Sequence, residues 1–289
     1  MRYGVVIIAL GYPLYGNSAY NLALSLKTSC KDVEIALVYE PKTISKLSER
    51  ELTYFDKFVK MPESWYTVDG KKQYQRAKLC VNLITNKLGW DYTIYMDADN
   101  IWLDKPVSWL FGQLHKKDFF IGYNGHYNAI TKKQNNIGYT YWGDPKTICN
   151  YHSIKTLPQT VSGFFFFKNG ESANELFADA RAIYDDSKAP TIEWANGKPD
   201  EYCINVALGK IAYNQENFHV FYFDKINGSI SEQLIQSNYW GLATGGNQVS
   251  SKLIHLYNRL VDKYCYQNDI KTRHFHIDKK DVITERQKF

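Results

Sequence analysis

The chain has 289 residues, 44% of them hydrophobic and 22% charged, which excludes a disordered polymer and leaves room for a large α/β core. A net charge of +5 is too mild to demand a nucleic-acid partner and suits an anionic substrate. Five widely spaced cysteines (Cys30, Cys80, Cys149, Cys203 and Cys265), with no Cys-x-x-Cys, argue against a disulfide framework or a zinc site and point to the reduced thiols of a cytoplasmic protein.

Residues 3–10 form a continuous apolar run, the pattern of a strand buried on both faces. The run is too short to span a membrane, and Gly11-Tyr12-Pro13 after it is a poor signal-peptide cleavage site. A loop follows, then a helix to about residue 27 that Asn17 or Ser18 would cap. A strand over 33–39, a helical connection over 41–51 and a short strand over 55–61 complete a strand–helix alternation. That alternation predicts a parallel sheet with helices on its faces, which binds ligands at the carboxyl ends of its strands. Residues 74–88 have the apolar spacing of one helix, and 106–114 of another. Residues 123–160, rich in Tyr, Asn, Gly, Lys and His with little periodicity, read as a long loop or insertion that could carry an acceptor site. A strand over 161–167, a helix over 172–184 capped by Ser172, and a helix opened by Pro199-Asp200-Glu201 come next. Residues 220–223 and 253–256 read as short strands. Residues 263–289, with seven Lys or Arg against four acids, read as a basic, solvated terminal segment. No apolar run approaches 18 residues, so a soluble protein is expected.

The stretch that carries chemistry is Thr93-Ile94-Tyr95-Met96-Asp97-Ala98-Asp99-Asn100. An apolar strand ends abruptly in Asp-x-Asp, and residues two apart on an extended chain point to the same side. Two carboxylates brought together repel unless a cation lies between them. Hard oxygen donors suit Mg²⁺ or Mn²⁺, ions that also hold substrate phosphates. The 23 tyrosines are compatible with sugar or base stacking and equally with a tyrosine-rich core.

Several local patterns together resemble the retaining glycosyltransferases of family 8, the glycogenin and lipopolysaccharide galactosyltransferase type with the GT-A fold. They are Leu14-Tyr15 before the first helix, Ala77-Lys78-Leu79, Tyr95-Met96-Asp97-Ala98-Asp99, Ser162-Gly163, Pro199-Asp200-Glu201 with Asn205, and Lys252-Leu253-Ile254-His255-Leu256. The resemblance covers about residues 3–260. It implies one α/β GT-A (Rossmann-like) domain over 1–262 with a mixed, mostly parallel central sheet, the segment 123–160 as a loop or insertion, and a basic tail over 263–289. It further implies a metal-dependent transfer of sugar from a nucleotide-sugar, a UDP-sugar by the family's habit, to an acceptor hydroxyl with retention.

By the same resemblance Asp97, Asp99 and His255, the last on a late strand, would hold Mn²⁺ (or Mg²⁺). Tyr15 would stack on the uracil, Lys78 would reach the donor phosphates or the metal-binding carboxylates, and Asn100 or Asp99 would touch the ribose or sugar. Asp200 would contact sugar hydroxyls, with Glu201 near the anomeric carbon. The sequence departs from the family after His255, where Arg259 or Lys263 would replace a phosphate-gripping Lys. It departs also at Val161, where Asn is usual, at Pro199 and Glu201, where Gly and Gln are usual, and over 123–160. The commoner acceptor in the family is a saccharide or glycolipid. Glycosylation of a hydroxylated base in DNA is the alternative, suggested by the positive charge, the basic tail and the aromatic segment 123–160. A binding module that has lost turnover is a third reading. Sugar-1-phosphate nucleotidyltransferases share the broad fold, but the loop 11–16 lacks the Arg they use.

Overall fold

The computed structural model describes residues 1–103, 106–114, 118–136, 142–211, 218–222, 241–243 and 251–277. In chain order the elements are β1 (Tyr3–Ala9), α1 (Tyr15–Ser29), β2 (Glu34–Tyr39), α2 (Pro41–Ile44), α3 (Glu49–Leu52), β3 (Lys57–Lys60), β4 (Thr67–Val68), β5 (Lys71–Lys72), α4 (Gln75–Lys78), α5 (Val81–Leu88), β6 (Tyr92–Asp97) and β7 (Asn100–Trp102). There follow α6 (Val107–Gln113), β8 (Phe119–Asn128), β9 (Lys133–Asn136), α7 (Pro145–His152), β10 (Thr156–Lys168), α8 (Glu171–Asp185), α9 (Asp200–Ile211), β11 (Phe218–Tyr222), β12 (Gly241–Ala243) and α10 (Ser251–Gln267).

The fold is α/β. Its main sheet is eight-stranded, in the order β11-β8-β10-β6-β1-β2-β3, with β9 on β8. The sheet is mixed and mostly parallel: β1–β2, β2–β3 and β8–β11 run parallel, while β8 meets β10 and β9 antiparallel. The α/β sheet expected from the strand–helix alternation is therefore present. The chain divides into two compact units, one of residues 1–2, 62–94 and 111–225, the other of 3–61, 95–110 and 226–289.

In the unit that begins at Tyr3, β1 and β2 are buried almost throughout, as their unbroken apolar runs require. Helix α1 starts at Tyr15, ahead of both expected caps, with Leu14 as a cap residue that makes no side-chain bond. Gly16 is needed there, because a Cβ would lie 1.9 Å from the Thr43 carbonyl oxygen. The connection expected over 41–51 is two short helices, and α3 opens with a capping box in which Ser48 and Glu51 bond reciprocally.

Two expectations are corrected in this unit. The segment 253–256 lies in α10, whose buried Tyr257, Leu260, Val261, Tyr264 and Cys265 follow helical spacing. The tail does not begin as solvated chain. Residue 263 falls inside α10, and the following residues pack down as a strap as far as 277. His274 offers its carbonyl to Asn21 Nδ2 (2.5 Å) and its Nε2 to Glu51 Oε1 (2.5 Å), and lies edge-on to Tyr20. Asn268 bonds Thr28 (2.8 Å) and Ile270 is buried. Burial alone would raise the Glu51 carboxyl, but hydrogen bonds from Ser48 and the contact with His274 outweigh it and hold it below its ordinary value.

In the unit that contains β8, the segment 123–160 corrects a further expectation. It holds most of β8, all of β9 and α7, and the start of β10; residues 137–141 lie outside the description. The polar stretch of β8 is extended because β10 and β9 flank it, so tertiary pairing overrides weak local propensity. Phe119, Phe165, Phe167 and Phe177 form the aromatic core here, with centroids 5.3–6.2 Å apart. Each fully buried ring contributes about 1.5–3 kcal/mol.

The single helix expected over 74–88 is two, α4 and α5, broken at Leu79-Cys80. The Leu79 carbonyl is taken by Arg181 Nη1 (2.6 Å) instead of the next helical turn. Helix α8 is preceded by Gly170 and has no side-chain cap; Ser172 turns to Asp118 instead. The strand expected at 220–223 is β11, with residue 223 outside the described residues.

Candidate functional site

The candidate residues fall into two groups, one in each unit. In the unit that begins at Tyr3, β6 ends at Asp97 and a tight turn leads into β7, so Asp97 and Asp99 flank the strand end. Both keep partial solvent access, and Ala98 between them is buried. Tyr95 Oη donates to Asp97 Oδ1 (2.5 Å) and Asn100 Nδ2 to the Asp97 carbonyl (2.9 Å), which braces the turn. Asn100 is buried in this role. The Trp102 amide donates to Ser25 Oγ on α1 (2.9 Å), and the Trp102 carbonyl accepts from Tyr264 Oη on α10 (2.7 Å). The acidic turn is thus anchored to two helices of its own unit.

Tyr15 opens α1 and meets Tyr12 edge-on at 6.2 Å. Helix α10 carries both His255 and Arg259, and both are exposed. Tyr257, two positions from His255 and so on nearly the opposite face, is fully buried and bonded to Asn21 (3.1 Å). Burial raises its phenol well above the ordinary value, and the negative charge of Asp99 adds to the rise. Tyr257 of α10 therefore lies in the field of Asp99.

A divalent cation fits the strand end as a shared ion. Two partly exposed carboxylates supply hard oxygens, the arrangement of an ion completed by phosphate oxygens and water. Among the described residues, no group of three His, Cys, Asp or Glu side chains gathers to make an all-protein cage.

In the other unit, a three-residue irregularity in β10 creates the second group. Val161 pairs with Gly122 and Phe165 with Ile121, so residues 162–164 are extra to the ladder. Released from the ladder, the Ser162 amide donates to Glu201 Oε1 (3.3 Å), and Ser162 Oγ donates to Asp200 Oδ2 (2.5 Å). Lys78, at the end of α4, donates to Ser162 Oγ (3.2 Å) and pairs with Asp200 Oδ2 at 2.8 Å. Asn205, one turn along α9, accepts from both the amide and hydroxyl of Thr160 and fixes α9 to β10.

The two acids in the first turn of α9 diverge electrostatically. Asp200 has the Lys78 cation. Glu201 keeps a slight opening to solvent but is densely surrounded, and burial followed by the charge of Asp200 pushes its carboxyl up to about 7. Trp142 Nε1 donates to Glu201 Oε2 (3.0 Å) and limits that rise. An acid that titrates near neutrality can exchange a proton at physiological pH.

The structure thus gathers Lys78, Asp200 and Glu201 around Ser162, and Asp97 with Asn100 at the turn that bears Asp99. It adds Trp142, whose only sequence signal is its position in the aromatic segment 123–160. All five cysteines are free thiols, and no helix among the described residues is long and apolar enough to cross a membrane.

No protein-family model matches the chain, and no curated protein does. Among solved structures the chain is similar to the apo bifunctional glycosyltransferase WbbM, with a TM-score of 0.45 and 11% identity over 77% of this chain. It spans only 38% of that protein. It is also similar to mouse xyloside xylosyltransferase 1 in its apo form (TM-score 0.46, 14% identity, 76% of this chain and 85% of that one). A third likeness is to a glycosyltransferase involved in glycosylation of the major capsid of PBCV-1 (TM-score 0.39, 10% identity, 77% of this chain and 82% of that one). All three are glycosyltransferases by description, and all three likenesses are distant.

Proposed function

We propose that the chain is a metal-dependent glycosyltransferase that moves a sugar from a nucleotide-sugar, a UDP-sugar by its sequence resemblance, to an acceptor hydroxyl with retention. The observation that carries this reading is Asp97-Ala98-Asp99 at the carboxyl end of an internal strand of an α/β sheet, the place where such sheets bind ligands. The two carboxylates would hold Mn²⁺ or Mg²⁺, and the ion would offset the charge of the departing diphosphate. His255 is the third ligand that the resemblance adds, offered from an exposed position on α10.

Tyr15 would stack on the base, and of the two residues offered for the ribose or sugar Asp99 is the partly exposed one, while the buried Asn100 holds the acidic turn in shape. By the resemblance, Lys78 in one unit and Arg259 in the other are each a candidate for positive charge toward phosphate; Lys78 itself pairs with Asp200. Asp200, positioned by Lys78 and Ser162, bonds sugar hydroxyls, and Glu201 stands beside the anomeric carbon. In the transfer, the bond from the anomeric carbon to the diphosphate oxygen breaks and the electron pair leaves with the diphosphate. The acceptor oxygen bonds the carbon, and its proton passes to a basic oxygen. The acceptor class we favour is a saccharide or glycolipid.

The test is thermal unfolding with a panel of nucleoside diphosphates, with and without Mn²⁺, in wild type and Asp99→Ala. Stabilisation by UDP that needs Mn²⁺ and vanishes in the variant supports the reading. A wild-type protein stabilised by no nucleotide in either condition overturns it. A hydroxylated base in DNA would be indicated by DNA affinity that falls steeply with salt.

A further inference from the structure

In the unit that contains β8, Trp142 bonds Glu201 and a second tryptophan, Trp194, packs against Trp142. The rings of Trp142 and Trp194 have centroids 5.7 Å apart and planes tilted by 57°. Both are half-buried, so each offers part of its surface to solvent. Their backbones are held in place by more than ring contact. Trp142 has a left-handed backbone (φ 59°), unusual for so bulky a residue. Its carbonyl accepts from the Ile192 amide (2.8 Å) and Thr191 Oγ1 (3.1 Å). Trp194 exchanges backbone hydrogen bonds with Gly197 (2.8 and 3.0 Å) across a turn in which Ala195 and Asn196 are left-handed. The Trp194 carbonyl accepts from Gln75 Nε2 (3.0 Å). Gly197 is required because a Cβ there would come within 2.4 Å of Tyr184 Oη.

We propose that Trp142 and Trp194 form a stacking platform for a saccharide ring, with the Glu201 carboxyl as the hydrogen-bonding group at its edge. The proposal rests on the glycosyltransferase reading and adds an apolar stacking surface to the polar groups that the reading assigns to the sugar. A pyranose ring has an apolar C–H face and a rim of hydroxyls. A rigid indole face covers the first at small entropic cost, and a carboxyl oxygen accepts from the second. The indole N–H of Trp142 ties ring to carboxyl, so platform and acceptor group keep a fixed spacing.

The experiment uses the full chain on an array of immobilised neutral and acidic saccharides, followed by calorimetric titration of the best-retained one. Wild type is compared with Trp194→Phe and Trp194→Leu. The bonds that hold residue 194 come from its backbone, and both replacements keep apolar bulk, so the frame should persist in each; equal unfolding midpoints check it. The platform predicts near wild-type affinity with Phe and a loss of about tenfold with Leu. Equal affinity of the Phe and Leu variants overturns it, as does a wild type that retains no saccharide. Binding of a dT₂₀ oligonucleotide that depends on Trp194, without saccharide binding, overturns it in favour of nucleic acid. UDP with Mn²⁺, measured in parallel by thermal shift, should stabilise the Leu variant as well as wild type. Trp194-dependent saccharide binding without any UDP response supports the platform while removing the transferase reading.

Discussion

At the end of β6, Asp97 and Asp99 sit in a turn braced from behind and keep partial access to water. At the start of α9, Asp200 is 15% exposed and Glu201 is densely surrounded, and the two are bonded by Lys78, Ser162 and Trp142. The contrast separates two uses of a carboxyl pair. An accessible pair can be completed by a cation and phosphate oxygens that come and go. An enclosed pair is set by the protein itself, so its geometry and protonation are arranged before any substrate arrives.

Removing a member of the accessible pair should therefore harm function with little effect on folding. Asp99→Ala is expected to lower transfer by about a thousandfold or more, with an unfolding midpoint near wild type in the absence of ligand; kinetics and thermal melts read both quantities. Removing a member of the enclosed pair should cost stability as well as function. Asp200→Ala leaves the Lys78 ammonium largely buried without its carboxylate and should cost about 3 kcal/mol in denaturant unfolding. A neutral result there would break the comparison, because it would mean the Lys78–Asp200 pair is not an enclosed one.

Glu201 gives a pH test of the same difference. Its carboxyl is raised from the ordinary 4.5 to about 7, so the native state holds the proton more tightly than the unfolded chain. Wild-type stability from this group is therefore present at low pH and falls as pH rises from about 4.5 through 7. Glu201→Gln does not titrate and should gain on wild type across that window, by at most about 3 kcal/mol, as read by urea unfolding at pH 5 and pH 8. A flat difference would place Glu201 in water. The smallest effect is expected at His255. Its exposed position on α10 predicts about a tenfold loss of Mn²⁺-dependent UDP affinity in His255→Ala, against complete loss in Asp99→Ala. Equal losses would make His255 a full partner of the acidic turn.

These two regions differ also in how far the sequence reveals them. The acidic turn is legible because a buried strand announces itself by an unbroken apolar run and the charges fall at its end. Strands β1 and β2 are legible by their apolar runs, and helix α1 by the helical spacing of Ala19, Leu22, Ala23 and Leu26. The enclosed cluster is only half so. Asp200 and Glu201 stand out as acids at a helix start, but the three extra residues of β10 that turn Ser162 toward them depend on pairing with β8, a distant segment. Residues 122–128 have strand form without strand composition, since Gly122 to Asn128 includes no β-branched residue. The apolar run 253–256 is too short to separate strand from helix by itself. The helical spacing of Tyr257, Leu260, Val261, Tyr264 and Cys265 decides it, and those residues lie downstream of the run.

The strap after α10 has a consequence for how the chain is made. Asn21, in the first helix, bonds the carbonyl of His274, 253 residues later. At about 5–20 residues per second, synthesis of that interval takes roughly 13–50 s. Through all of it α1 must wait with an amide that its final partner has not yet reached, alongside Glu51, which waits for the same residue. The unit that begins at Tyr3 therefore closes late, whatever the pace at which β1 and α1 first form. A ribosome stalled short of residue 274 would carry a chain whose helix α1 is still incompletely bonded, a species for chaperones or proteases to find.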